Sequence, residues 1–382
     1  MLPSSTLPAR RLRKMLSPLM EEAARDTRAD RYRKKFPARA HAWMLIAHTM
    51  SANQSLRQSH AQQQADPAMR RFLGMEEPIS YSQLARSSTS RPPEFFEGLL
   101  ASLLRLARSR SGGGADLPGG AAPLLEDVRL LDSTFFPLGA GSSPWSRWGR
   151  RGDAGVRLQT LLDPSERLPT RMELEPLSTN DANALGGLEL AGLEGMTLIF
   201  DLGYYCHAHF ERLREGGVHF LTRLNAQAYY EVEQDRRLPE DGPTTTPQGD
   251  RLLSDQTIAL GSPNNRRGAV LEGVRLVTSE NEKGEVHAFV TDRHDLAALE
   301  VISLYRKRWQ IELFFRWLKR QLGTLGAAFG TSVEAVWLTM VVAAIVAVVA
   351  MLAEEWRPKG MTRVSWLRAL GPLLFRRPRF SG

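Results

Sequence analysis

Between residues 31 and 106 the apolar side chains recur every three or four positions, as in Trp43-Met44-Leu45-Ile46 followed by Met50, and in Phe95-Phe96-Leu99-Leu100-Leu103-Leu104. That is the period of one helical face, and it predicts an all-helical domain. Residues 109–123 break the pattern with Gly112-Gly113-Gly114 and Gly119-Gly120, the composition of a flexible linker. Short apolar runs bounded by turn residues follow. Residues 128–131 and 196–200 predict buried strands, 155–162 and 171–177 further strands, and 210–215 part of a short helix. Residues 226–290 alternate in short segments (229–232, 257–260, 270–277, 286–290) between Pro, Gly and Asn clusters, and predict a β-rich block. A helical pattern then runs through 296–322. Last, residues 335–353 form nineteen uncharged, mostly apolar positions. The run is long enough to cross a membrane at the ~18-residue threshold, but it is rich in Ala and Val and has no companion span, so it is expected to be a core helix. No internal repeat is visible.

Composition changes this picture little. The 382 residues, 42% hydrophobic and 24% charged, suit a globular chain of about two or three domains, and exclude disorder, collagen and a multi-span membrane protein. The single cysteine, Cys206, has no intramolecular disulfide partner, and the charged N-terminus lacks an apolar stretch behind it, so a cytoplasmic protein is expected. Charge is more informative. Residues 1–40 carry +7 and residues 357–382 another +7, which leaves −6 of the +8 total for the body between them. Basic ends bind polyanions by releasing counterions; an acidic body needs another means of approach, such as metal ions held by carboxylates. Solubility alone would also account for charged ends.

Two aspartates occupy apolar surroundings: Asp132 in Leu130-Leu131-Asp132-Ser133-Thr134-Phe135-Phe136, and Asp201 in Leu198-Ile199-Phe200-Asp201-Leu202-Gly203-Tyr204-Tyr205. A carboxylate that leaves water costs several kcal/mol unless a metal, an arginine or a cap receives it, and Asp201 would also serve as a turn residue before Gly203. On the 296–322 helix, at about 100° per residue, Tyr305, Arg308, Glu312, Arg316 and Lys319 share a face about 80° wide. This is either a functional stripe or a solvated face in which Glu312 bridges Arg308 and Arg316. Cys206, His207 and His209 have zinc-binding donor types but lack a fourth ligand. Trp145, Arg147, Trp148, Arg150 and Arg151 form a basic, aromatic stretch suited either to DNA contact or to an ordinary surface loop.

Tyr305, Arg308, Glu312 and Lys319 reproduce the spacing Y-(2)-R-(3)-E-(6)-K, and residues 304–319 around them resemble the family of bacterial insertion-sequence transposases of the DDE type that carries this signature. Asp132-Ser133-Thr134 resembles the family's first catalytic motif. Asp201-Leu202-Gly203-Tyr204-Tyr205 with Phe220-Leu221-Thr222-Arg223-Leu224 resembles its second. The resemblance covers roughly residues 40–355 and leaves out the basic ends. It departs from the family where Gln159 replaces a histidine common among relatives, and where the β-rich block lacks a Trp to stack a flipped base, for which Tyr229 and Tyr230 are the available substitutes.

The resemblance implies an α/β fold: a ribonuclease H-like catalytic core with a β-rich insertion and an N-terminal helical domain. The expected organisation is 1–110 basic segment and helical DNA-binding domain, 111–124 linker, 125–225 first part of the core, 226–290 insertion, 291–356 catalytic and core helices, and 357–382 basic tail. It implies that Asp132, Asp201 and Glu312 hold two Mg²⁺ ions, with Mn²⁺ as the substitute, about 4 Å apart for in-line displacement at phosphorus. Tyr305, Arg308 and Lys319 would contact DNA phosphates. The implied partners are double-stranded DNA, at transposon ends and target, and a second copy of the chain in a synaptic complex; the implied location is the nucleoid, and no membrane is involved. A catalytically inactive DNA-binding remnant is the alternative, against which all three acids and the lysine are present.

Overall fold

A computed structural model describes residues 6–31, 35–51, 56–111, 125–138, 147–148, 153–176, 181–236, 243–262, 270–321, 329–330 and 332–375. It divides into two compact units, one comprising Met1–Gly113, Pro137–Gly155 and Arg316–Gly382, the other Gly114–Phe136 and Val156–Phe315. Most of the expected linker, residues 112–124, lies outside the described residues, as do Trp145, Arg150 and Arg151.

The first unit opens with helices α1 (Thr6–Asp26), α2 (Ala38–Ser51), α3 (Leu56–Ala65), α4 (Pro67–Leu73), α5 (Tyr81–Ser90) and α6 (Pro93–Ser111). In α1 the buried residues Ala9, Leu12, Leu16, Met20 and Ala23 form one stripe, as an amphipathic helix requires. The carboxyl group of Asp66 accepts from the Ala68 and Met69 N–H groups at 2.8 and 3.2 Å, and so starts α4; Gly74, at φ 71°, ends it in the left-handed conformation that glycine adopts without strain. Arg91 is buried just after α5, where its guanidinium donates to the carbonyls of Ala29 (3.0 Å) and Phe36 (2.9 Å) and to His41 Nδ1 (3.2 Å). These bonds tie the α1–α2 connection to the end of α5.

The strands are β1 (Val128–Leu138), β2 (Arg147–Trp148), β3 (Asp153–Asp163), β4 (Leu168–Pro176), β5 (Thr197–Ile199), β6 (His219–Arg223), β7 (Tyr230–Asp235), β8 (Arg251–Leu260), β9 (Leu271–Glu280) and β10 (Val286–Thr291). They form one sheet in the order β4-β3-β1-β5-β6-β10-β9-β8-β7, with β2 adding to the start of β3. β1, β5 and β6 run parallel, while β3 with β4 and the meander from β7 to β10 pair antiparallel. Residues 226–290 therefore do not form a separate sheet; β10 bonds to β6 and extends the central one.

Helices α7 (Asp181–Gly187), α8 (His207–Glu215), α9 (Ala298–Arg306) and α10 (Trp309–Gln321) complete this part, and the division between units falls inside α10. Phe210 of α8 stacks on Phe220 of β6 with centroids 4.6 Å apart. In the meander, Arg275 makes a bidentate pair with Asp255 (2.8 and 2.7 Å), and the buried guanidinium also donates to the Leu296 carbonyl.

The single helix expected over 296–322 is instead two. At Lys307 and Arg308 the backbone tightens into i→i−3 hydrogen bonds, Lys307 N–H to Leu304 O and Arg308 N–H to Tyr305 O, before α10 begins. The common face worked out for one straight helix does not carry through that junction, and Tyr305 is buried rather than aligned on an open polar stripe.

The first unit resumes with α11 (Val333–Leu352) and α12 (Arg363–Leu370). Ser332 caps α11, accepting from the Ala335 N–H at 3.3 Å. From Ala335 to Leu352 every side chain is buried except the half-buried Trp337 and Met351, and the helix packs on α2, α5 and α6. A helix apolar on all sides belongs in a core. The Trp337 indole N–H, at its less buried end, donates to Glu97 of α6 at 2.9 Å.

Candidate active site

The parallel pairing of β1 with β5 sets Leu130 opposite Ile199. Continued by two residues, that register would set Asp132, the fifth residue of the eleven-residue β1, alongside Asp201, just past the carboxyl end of β5, the side of the sheet on which α/β folds gather ligands. β5 has ended by then, and Asp201 caps a 3₁₀ turn, Leu202–Tyr204, by accepting from the Gly203 N–H at 2.8 Å. Asp132 Oδ1 accepts from the Ser133 N–H at 2.7 Å, and Oδ2 lies 3.4 Å from Arg308 Nη1. Arg308 Nη2 donates to Glu312 Oε1 at 2.6 Å, so one guanidinium joins the Asp of β1 to the Glu of α10.

The electrostatics agree with this convergence. Burial pushes the Asp132 carboxyl up to about 7; the Ser133 N–H and Arg308 hold it down, and the negative charges of Asp201 and Glu312 raise it further. Asp132 thus feels the charge of both other acids. Burial works against the Arg308 charge, but the Glu312 hydrogen bond and the surrounding anions outweigh it and lift its pKa above the ordinary arginine value.

Behind these groups stands a polar layer. The Ser133 hydroxyl donates to Asp181 Oδ1 at 2.7 Å, and Arg157 pairs with the same oxygen. Gln159 Nε2 donates to Glu175 Oε2 at 3.3 Å, and Gln159 Oε1 accepts from the buried Tyr204 hydroxyl at 2.6 Å. Burial, then the charges of Asp181, Asp132 and Asp201, push the Tyr204 phenol well above its usual range, so it remains a donor.

On the other side of Arg308 lies a cavity of about 410 Å³, whose lining includes Arg223, His287, Tyr305, Arg306, Arg308 and Trp309. Tyr305 forms part of its wall, with its ring 4.9 Å from that of Phe289 and the Arg223 guanidinium 5.8 Å above it. Such a combination of guanidinium groups and ring faces suits phosphates and bases. Lys319 is exposed two turns beyond Glu312 on α10, in the stretch counted with the helical unit. Phe135, Leu202, Trp309 and Leu313, which neighbour the charged residues along the chain, are large, apolar and exposed.

The donor set fits a hard divalent cation: three carboxylates, with positive charge already drawn between Asp132 and Glu312 in the form of Arg308. Among the described residues no three His, Cys, Asp or Glu side chains stand close enough to hold an ion as they are. Cys206 precedes α8 as its N-cap without a side-chain hydrogen bond, and it belongs to no such group with His207 and His209.

Asp181 and Arg157 carry no sequence signal of their own, and Ser133 stands out only as the neighbour of Asp132 in the first motif. Asp181 lies in the polar run Ser178-Thr179-Asn180-Asp181, which reads as a turn, and only the hint that Gln159 occupies a position of interest pointed toward this layer.

Residues 123–349 match the family model described as the transposase DDE domain. A protein of Sinorhizobium fredii named as transposase y4zB is 28% identical over 250 residues, 64% of each chain. A protein of Geobacillus stearothermophilus named as the transposase for insertion sequence element IS5377 is 25% identical over 303 residues, 79% of this chain and 73% of that one. The match to the first of these relatives spans less than two thirds of its length. A cryo-EM structure of the piggyBac transposase synaptic complex with hairpin DNA aligns over 96% of this chain and 80% of its own, at 10% identity and a TM-score of 0.46.

Proposed function

The chain belongs to the transposase DDE-domain family, and on that premise we propose that it is the transposase of an insertion sequence, cutting the ends of its element and joining them to target DNA. The observation that carries this reading is Asp132, within β1, lying close enough to Asp201, just past the end of the paired strand β5, to feel its charge, with Arg308 linking Asp132 to Glu312. We read the sheet around β1, β5 and β6 as a ribonuclease H-like core, β7 to β10 as the insertion between the second Asp and the Glu, and residues 1–110 as a DNA-binding domain. DNA of the element's ends and of the target is the substrate, and a second copy of the chain is the partner that holds paired ends together. The cytoplasm, on the nucleoid, is where such a protein would act.

Asp132, Asp201 and Glu312 would hold two Mg²⁺ ions, which when bound activate water or a 3′-hydroxyl and balance charge on the leaving oxygen. The chain's own residues do the rest. Arg308 keeps Asp132 and Glu312 together while no other cation lies between them, and its second role is to face a phosphate once that charge is relieved. Arg223 neutralises phosphate from the cavity wall, where Arg306 is already paired with the buried Asp250, Tyr305 braces that wall, and Lys319 grips the backbone further along α10.

Strand cleavage tests the assignment, on DNA bearing the inverted repeats that flank the gene, with Mg²⁺ supplied and salt held fixed. Glu312→Ala is expected to lower the rate by about 10³-fold or more while gel-shift binding persists; Lys319→Ala is expected to weaken binding and leave the fold intact. Cleavage by Glu312→Ala at the parental rate would overturn the assignment.

A further inference from the structure

Asp132 lies within β1 and Asp201 just past the end of β5, and one side chain touches the segment that follows each. Asp181 Oδ1 accepts from the Ser133 hydroxyl at 2.7 Å. The N–H of that same serine donates to Asp132 Oδ1 at 2.7 Å. Asp181 Oδ2 packs against Gly203, whose N–H donates to Asp201 Oδ1 at 2.8 Å. A Cβ on residue 203 would lie 3.0 Å from both Asp181 Oδ2 and Asp201 Oδ1, so glycine is what lets the two carboxyl groups approach over it. Arg157 pairs with Asp181 and also donates to the Ser133 hydroxyl at 3.3 Å, which closes the triangle.

We propose that Asp181 is a positioning residue that holds the Asp132 and Asp201 carboxylates at a fixed spacing, by bonding Ser133 on one side and packing on Gly203 on the other. The proposal rests on the reading of Asp132 and Asp201 as metal-holding carboxylates. Asp181 itself is engaged by Arg157 and is assigned no metal. Groups that orient a ligand carboxylate commonly govern affinity by 10- to 100-fold, because an unheld carboxylate must be ordered when the ion binds. A purely structural role, as the acidic first residue of α7, would change stability and leave metal affinity alone.

The experiment uses the full-length chain and Mn²⁺ alone, its binding followed by electron paramagnetic resonance without DNA, alongside cleavage as a function of Mg²⁺ concentration. Asp181→Ala is expected to weaken Mn²⁺ binding by about 10-fold or more and to raise the Mg²⁺ concentration for half-maximal cleavage in parallel, with most of the maximal rate recovered at saturating metal. Asp181→Asn, which still accepts from Ser133 and still packs on Gly203, is expected to recover most of the loss. If Asp181→Ala does not fold, Ser133→Ala is expected to shift affinity in the same direction. Parental Mn²⁺ affinity in the folded variants overturns the proposal. Asp132→Ala separates it from the assignment beneath: a parental Asp132→Ala would remove the catalytic reading itself, whereas an inactive Asp132→Ala beside parental Asp181 variants would remove only the positioning role.

Discussion

At the centre of the helical unit, α11 buries Ala, Val, Ile, Leu and Met side chains along nearly its whole length, whereas in the sheet unit β1 carries a carboxyl group with only 14% of its side chain open to water. Along α11 the helical core is uncharged, and the unit's buried Arg91 and Thr339 donate to neighbouring carbonyls. The sheet unit instead sets one arginine, Arg308, between Asp132 and Glu312, and burial together with the negative charges of Asp201 and Glu312 still holds the Asp132 carboxyl well above its ordinary pKa. The first arrangement maximises apolar burial. The second gives up stability where buried like charges face one another, a cost that proteins commonly bear at functional sites.

Exchanging the chemistry of the two centres should therefore have opposite effects. Ala344→Asp would bury an unpaired carboxylate in the middle of α11, where the native side chain is fully enclosed, and should destabilise the helical unit by about 5 kcal/mol or more, read as lost hydrogen-exchange protection in α2, α6 and α11. Asp132→Asn is expected to do the reverse in the sheet unit. The folded pKa of Asp132, about 7, lies above its ordinary 3.8, so the native state binds the proton more tightly. The penalty is absent below about pH 4, grows as pH rises, and is complete above about pH 7, where it reaches on the order of 4 kcal/mol. Asp132→Asn should be more stable than the parent at pH 8, equal to it at pH 4, and inactive in cleavage; an unchanged melting profile at pH 8 would show that the charge is not strained.

His48 of α2 gives the helical unit the opposite pH response. Burial lowers its pKa from 6.5 to about 4, and Nδ1 lies 2.9 Å from the Ser59 hydroxyl. The unfolded chain takes up the proton first, so stability is full above about pH 6.5 and falls by about 3 kcal/mol as pH drops through 4. Thermal melts of His48→Gln between pH 4 and 7 should show that loss removed. The smallest effect concerns Asp66→Ala, which frees the first N–H groups of α4 and should cost about 1 kcal/mol by denaturant unfolding, without touching cleavage.

What could be read from the chain followed the range of the interactions. The runs at 128–131 and 196–200 announced β1 and β5 because burial on both faces leaves a local apolar signature, and Asp132 and Asp201 stood out against it. The Ala- and Val-rich run of α11, with no companion span, pointed to a core helix, and the enclosure by α2, α5 and α6 that makes it one comes from residues far away in sequence. The junction at Lys307 and Arg308 was hidden because Tyr-Arg-Lys-Arg-Trp contains neither Gly nor Pro, so nothing local marks the tightened turn. Tyr305 was assigned to a polar face for the same reason. Asp181 was invisible because its importance is borrowed from Ser133, Arg157 and Gly203, each brought to it by sheet pairing rather than by spacing.

β7 is the last strand of the sheet among the described residues, and all six of its side chains are exposed. A free strand edge of this kind is a template for another copy to zip onto, and repeated addition leads to fibres. Three of its six positions are Glu231, Glu233 and Asp235, and its register with β8 slips between Val232 and Gln234. Two such edges brought together would align acid against acid across a kinked ladder, so the strand repels its own likeness. Such an edge keeps high local concentration of the chain from becoming aggregation.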